Sequence, residues 1–292
     1  MGASVLIGAL ELGLLYAIMG FGVYLSFRVL NIPDLTIDGS FTCGCAAAAM
    51  CTLAAHPYLG LAAAFLCGMC CGLVTGLLMT KLHIQPILSG ILTMTALYSV
   101  NLRIQGGLPN VSLFGRETIF TQAQEIFGRE AASMIVIVGM LTAVAVILYL
   151  FLHTQLGMGM RATGSNEAMV RASSISADRM KILGLALANG IIALAGGLLA
   201  QYQSFADVNS STGKMVLGLA SIIVGEAFFG HRTILRSFIS VIVGSIIYRF
   251  LLTFALQFGL SASDLNLFSA ALVAIAISLP FLKKWRKPYA RS

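Results

Sequence analysis

From Gly39 to Thr80 the chain carries no Asp, Glu, Lys or Arg, and residues 131–160, 182–206 and 265–282 are equally free of charge. Shorter uncharged runs occupy 12–27, 84–102 and 237–248. An α-helix rises about 1.5 Å per residue, so about 20 apolar residues cross a hydrocarbon core. The runs read as membrane spans, and the first is long enough for two. Its natural break is His56-Pro57, because proline ends a helix and the residue before it leaves the α region. Spans are predicted near 4–27, 41–55, 58–80, 86–104, 132–152, 182–203, 215–230, 235–258 and 267–282. The expected fold is all-α and polytopic, a single domain over 1–292 with about nine transmembrane helices, eight to ten in all. Segments 28–42 and 213–231 are weak spans that read equally as re-entrant or broken helices.

Composition excludes several classes of protein. Only 10% of the residues are charged and 58% are apolar, whereas soluble domains carry about 25% charged residues. A soluble enzyme, a nucleic-acid-binding module and a disordered chain are ruled out, and the first environment to expect is lipid. Positions 1–10 hold no basic segment and no clear cleavage site follows, so the first helix is expected to stay rather than leave as a signal peptide. Nine spans put the termini on opposite sides. With the tail 283–292 in the cytoplasm, thirteen Lys and Arg fall inside and five fall in outer loops or spans. That bias follows the positive-inside rule and places the N-terminus outside and the C-terminus in the cytoplasm.

Two segments are more polar than lipid tolerates. Between Arg28 and Ser40, Pro33 and Gly39 interrupt helix while Asn31, Asp34, Thr36, Asp38 and Ser40 supply donors and acceptors. Irregular polar backbone near a membrane lines a cavity or contacts protein, and these five residues are candidates for a solute pathway. A cytoplasmic turn whose Asp and Ser cap the next helix would account for them without any pathway. Gln201, Gln203 and Asp207, in the polar stretch 201–211, either line the same path or face water. Glu226 lies within the apolar run 215–229 and should face the bundle interior, with Arg249 as a candidate partner.

Other features are structural on their face. Gly68, Gly72 and Gly76 recur on one helix face, which suits close helix approach, static or sliding. All six cysteines lie between Cys43 and Cys71; the Cys67/Cys70 pair is mid-helix without basic or histidine neighbours, and reads as packing rather than metal or redox chemistry. His56, His83, His153 and His231 are scattered, so no catalytic constellation and no metal site are expected.

The longest cytoplasmic connection is 153–181. Gly164 or Ser165 could start a short helix with Glu167 in its first turn, running through Ala168, Met169, Val170 and Ala172 and ending at Ser173–Ser176. A small amphipathic helix there suits docking into a partner's groove. The chain contains no Gly-x-x-x-x-Gly-Lys-Ser/Thr loop, so an ATP-driven motor would be another polypeptide.

Four blocks resemble the permease subunits of bacterial ABC importers, in the branch shared by branched-chain amino acid and ribose-type permeases. They are residues 13–41, with Asn-Ile-Pro-Asp-Leu-Thr-Ile-Asp-Gly-Ser at 31–40; 161–175; 181–208; and 218–227. The resemblance implies an inner-membrane permease that pairs with a second copy, a cytoplasmic ATPase dimer and an extracytoplasmic substrate-binding protein. It implies amino-acid-like solutes, aromatic ones included, and no cofactor in this chain, ATP and Mg being held by the ATPase. Residues 163–177 would form the coupling helix, with Gly164, Asn166, Glu167, Ala168, Arg171 and Ser174 at the ATPase. Two positions depart from the pattern: Ser174 stands where glycine is common, and Lys214 where a small residue is usual. The competing reading is an ion-coupled secondary transporter or channel in which Asp34, Asp38 and Glu226 carry protons or cations.

Overall fold

The computed structural model describes residues 3–128, 131–209, 213–230, 232–257, 267–271 and 274. Helix α1, Ala3–Val23, runs on into a π-helical turn at Tyr24–Val29; then follow α2, Thr36–Leu53, α3, Pro57–Lys81, and α4, Pro86–Ile104. Strand β1, Asn110–Ser112, and α5, Ile119–Phe127, precede α6, Ala132–Leu152. The chain continues through α7, Gln155–Ser165, α8, Glu167–Ala172, α9, Ala177–Gln203, and β2, Phe205–Asp207, to α10, Lys214–Phe229, and α11, Ile234–Gln257. Among the described residues, six helices are long and apolar enough to cross a membrane: α1 with its π-helical turn, α3, α4, α6, α9 and α11. The protein is an all-α, multi-pass membrane protein. The expected span at 267–282 lies mostly outside the described residues, as do the basic tail 283–292, Arg129, Ser210 and Ser211.

Local chemistry accounts for the boundaries. Pro57 and Pro86 stand in the first turns of α3 and α4, where a missing N–H costs nothing. Thr154 caps α7 by accepting the Gly157 amide, and Thr118 caps α5 through Thr121. Helices α1 and α9 form the centre: 67% and 78% of their most apolar windows are buried, against 28% for α4 and α6. The outward side of α6 shows Ile147 and Leu150, apolar surface that suits a lipid solvent. The glycine face of α3 packs on α9 so closely that a Cβ on Gly72 would stand 2.2 Å from the Leu185 carbonyl oxygen.

Two features depart from the expected layout. The second helix begins at Thr36, five residues before the predicted 41, so Thr36, Asp38 and Ser40 belong to a helix rather than to an irregular turn. Strands β1 and β2 pair antiparallel, Asn110 opposite Asp207 and Ser112 opposite Phe205, a small ribbon that hydropathy does not reveal. Helix α10, by contrast, lies within a residue of the expected 215–230; with only 16 residues it starts level with the middle of α1, where the Lys214 ammonium donates to the Tyr16 hydroxyl at 3.1 Å. All six cysteines are free; Cys43 and Cys71 pack with Leu97 and Cys67.

Candidate functional site

The polar segment after the first helix is drawn into the bundle. Asp34, 2% exposed, accepts the Asn189 amide at 2.7 Å through one oxygen and the Thr36 backbone N–H at 2.8 Å through the other. Asn189 lies at the middle of α9, so the carboxylate sits deep and starts α2 there. The Thr36 hydroxyl lies 2.7 Å from that of Thr75, which bonds in turn to Thr93 at 3.0 Å. Further along α2, Asp38 takes the amides of Met215 at 2.8 Å and Gly213 at 3.1 Å, and so caps α10 from a different helix. A carboxylate at a helix N-terminus answers its free N–H groups and its dipole.

Asp38 also borders a cleft of about 200 Å³ whose polar wall includes Thr42, Thr95, Tyr98, Asn101 and Asn209. Asn101, 1% exposed, donates to the Gly39 carbonyl at 3.1 Å, and its Oδ1 has no partner among the described residues. Ser40 is buried nearby in α2, away from the lining. Asn31 stands elsewhere, exposed at φ 56°, in a second polar cavity of about 240 Å³ with Tyr24, Arg28, Arg161 and Ser165.

Several sequence candidates have other partners than expected. Gln201 is buried and bonded at both ends: its Oε1 accepts the Ile119 amide at 3.1 Å and its Nε2 donates to the Pro57 carbonyl at 2.9 Å, which pins the starts of α3 and α5 to α9. Gln203 is exposed at the end of α9, and Asp207 turns the ribbon through the Asn209 amide and Asn110. Glu226 pairs with Arg28, not Arg249; the Arg28 Nε meets Oε1 at 2.8 Å and its Nη2 meets Oε2. Arg249 instead lies 5.9 Å over the Tyr16 ring. Arg249 is the nearer of the two arginines in sequence, whereas Arg28 is 198 residues from Glu226 and meets it only through the packing of α10 on α1.

The connection 153–181 folds as two helices rather than one. Asn166 breaks α7 from α8 and caps α8, its Oδ1 accepting the Met169 amide at 3.1 Å. The expected start at Gly164 or Ser165 is therefore corrected: both belong to α7, and a Cβ on Gly164 would stand 2.0 Å from the Val29 carbonyl oxygen. Glu167 accepts Lys181 at 2.6 Å and Arg171 at 2.8 Å, and Arg171 reaches Asp178 at 2.7 Å. These charges clasp α8 to the start of α9. Chiefly the Lys181 ammonium, and then Arg171, hold the Glu167 carboxyl below the usual carboxylate range. Ala168, Met169 and Ala172 face outward, Met169 by 61%. Ser174 has φ 60°, the left-handed region that favours glycine.

Sequence reasoning passed over Asn101, Asn189, Thr75, Thr93 and Arg28. An amide inside an otherwise apolar span was the available signal for the first two, because such a group must find a partner away from water. Nothing local marks which threonines meet.

The model of the family described as "Branched-chain amino acid transport system / permease component" matches residues 5–278. The chain is 38% identical over 271 residues to a tyrosine transport system permease protein of Clostridioides difficile, covering 92% of this chain and 89% of that one. It is 30% identical to an uncharacterized protein of Rickettsia prowazekii, over 94% of this chain and 97% of the other. The ribose import permease of Escherichia coli K12 is 25% identical, over 89% and 80%. No solved structure gives a significant match.

Proposed function

This chain belongs to the branched-chain amino acid transport system permease family, and we propose that it is the membrane-spanning subunit of an ATP-driven importer of amino-acid-like solutes. The ATPase is a separate cytoplasmic dimer, two copies of this chain form the pathway, and an extracytoplasmic protein delivers the solute. The membrane is the bacterial inner membrane, with the N-terminus outside. Beside the six long spans, α2 and α10 serve as broken helices whose inner starts meet at Asp38.

The observation that carries the reading is α8. It is a six-residue helix held by the Glu167–Lys181 clasp with an uncovered face of Ala168, Met169 and Ala172. Such a face fits a groove on a partner. Glu167 and Arg171 orient that face, Asn166 and Gly164 set its angle, and Ser174 ends it. Alternating access then follows from rocking of the bundle about a site fixed near the cleft. There Asp38 and the free Asn101 oxygen are among the polar groups that line the way of a passing solute. The tyrosine transport name of one relative supports an aromatic amino acid as the first solute to try.

Vesicles holding this chain with the proposed ATPase and binding protein test the proposal, with labelled tyrosine within an amino-acid panel. Uptake should require ATP, and Met169→Asp should abolish it while the protein stays folded. Uptake driven by a proton or sodium gradient without ATP would favour the ion-coupled reading.

A further inference from the structure

Helix α10 is tied at both ends to the segment from α1 to α2. At its start, Asp38 of α2 holds the amides of Gly213 and Met215, and Lys214 donates to Tyr16 of α1 while standing 4.9 Å over that ring. At its far end, Glu226 takes a two-point ion pair from Arg28. Its side chain is 8% exposed and that of Arg28 40%. Between the two ties, a Cβ on Gly218 would stand 2.7 Å from Val23, so α10 lies along α1. The cytoplasmic end of α10 otherwise shows Phe228 and Phe229 to the outside, 70% and 48% exposed.

Arg28 sits in the π-helical turn Tyr24–Val29, a backbone form that recurs at functional points of helices. The next residue, Val29, presents its carbonyl to Gly164 of α7. One turn of chain therefore touches the coupling segment on one side and α10 on the other. A bidentate guanidinium–carboxylate pair fixes direction as well as distance, and breaking it leaves a nearly buried charge.

We propose that Arg28 and Glu226 are positioning residues that link the coupling segment to the pathway. Displacement of α7 and α8 moves the Tyr24–Val29 turn; the ion pair carries that movement into α10; and the start of α10 shifts Asp38 at the cleft. The pair stays closed throughout, as a strut. This inference rests on the importer reading, and the wild-type transporter separates the two: if it takes up no solute with ATP, the importer reading fails before any variant is made.

The test is the ratio of solute taken up to ATP hydrolysed by the assembled transporter in vesicles, using tyrosine or the panel member that the wild type carries. Arg28→Gln and Glu226→Gln should each lower the ratio by on the order of tenfold. The reciprocal exchange, Arg28→Glu with Glu226→Arg, should recover at least half of it, about a twofold deficit, because it restores the link and changes the two residues. A purely structural role would lower the amount of folded transporter and leave the ratio alone. Neutral variants that keep the wild-type ratio, or an assembled exchange as uncoupled as either single change, would overturn the proposal. If the neutral variants do not assemble, the exchange decides, and an exchange that also fails to assemble overturns it too, since the position then demands particular side chains and not a linked pair.

Discussion

At Ser174 the backbone adopts φ 60° without the freedom of glycine, a conformation that costs an ordinary residue about 1–2 kcal/mol. Ser174→Gly should therefore stabilise the turn after α8 by about 1 kcal/mol, less the entropy glycine adds to the unfolded chain. Slower hydrogen exchange over 167–176 is the measurement. Asp38 makes the opposite case, for its two oxygens answer two amides of another helix. Asp38→Ala should cost about 1 kcal/mol of capping, in the range known for helix caps, and should reduce uptake more than folding; solute uptake against thermal stability separates the two. Asn in its place keeps one acceptor and should fall between. Both residues stood out in sequence, Ser174 by replacing a glycine and Asp38 by charge beside a span. Their partners did not, because a cap supplied by a different helix leaves no spacing to read.

Among the elements, α8 is held mainly by charge. Glu167 is depressed below its ordinary range by Lys181 and Arg171, so its contribution is present above the unfolded carboxyl value of about 4.3 and is lost as pH falls through the folded value. Protection of the α8 amides, taken as exchange relative to the intrinsic rate at each pH, should fall only in acid below about pH 4 and stay constant between about pH 6 and 8. The effect should be small, since these groups are substantially exposed. Contact between α10 and α11 depends instead on the absence of a side chain: a Cβ on Gly225 would stand 1.8 Å from the Ser240 carbonyl oxygen. Gly225→Leu should separate the helices and sharply lower the yield of folded protein in detergent, read by size-exclusion chromatography. An exposed glycine such as Gly139, with nothing within 4 Å, should tolerate the same change. Sequence marks both residues alike as helical glycines, and only the packing tells them apart.

For the whole molecule, orientation is open to direct measurement. With the six native cysteines replaced, Phe114→Cys, at a position 91% exposed beyond β1, should react with an impermeant maleimide in intact cells. Ile175→Cys, beside α8, should react only after permeabilisation; the reverse pattern would invert the topology. Much of this scale was legible from the chain alone. Uncharged runs dictate apolar helices because no unpaired charge or open backbone survives in lipid; the unequal spread of Lys and Arg predicts the direction that the labelling measures. Spans such as 86–104 and 132–152 agree with α4 and α6 to the residue. What the reading missed were contacts between segments far apart: Glu226 with Arg28, Gln201 with Pro57 and Ile119, Asp38 with Gly213. Hydropathy and helix period are properties of neighbours along the chain, so the sequence by itself determined that this is a bundle of membrane helices with a few costly polar groups. Which of those groups meet depends on how helices hundreds of residues apart are packed, and the tertiary structure alone decided that.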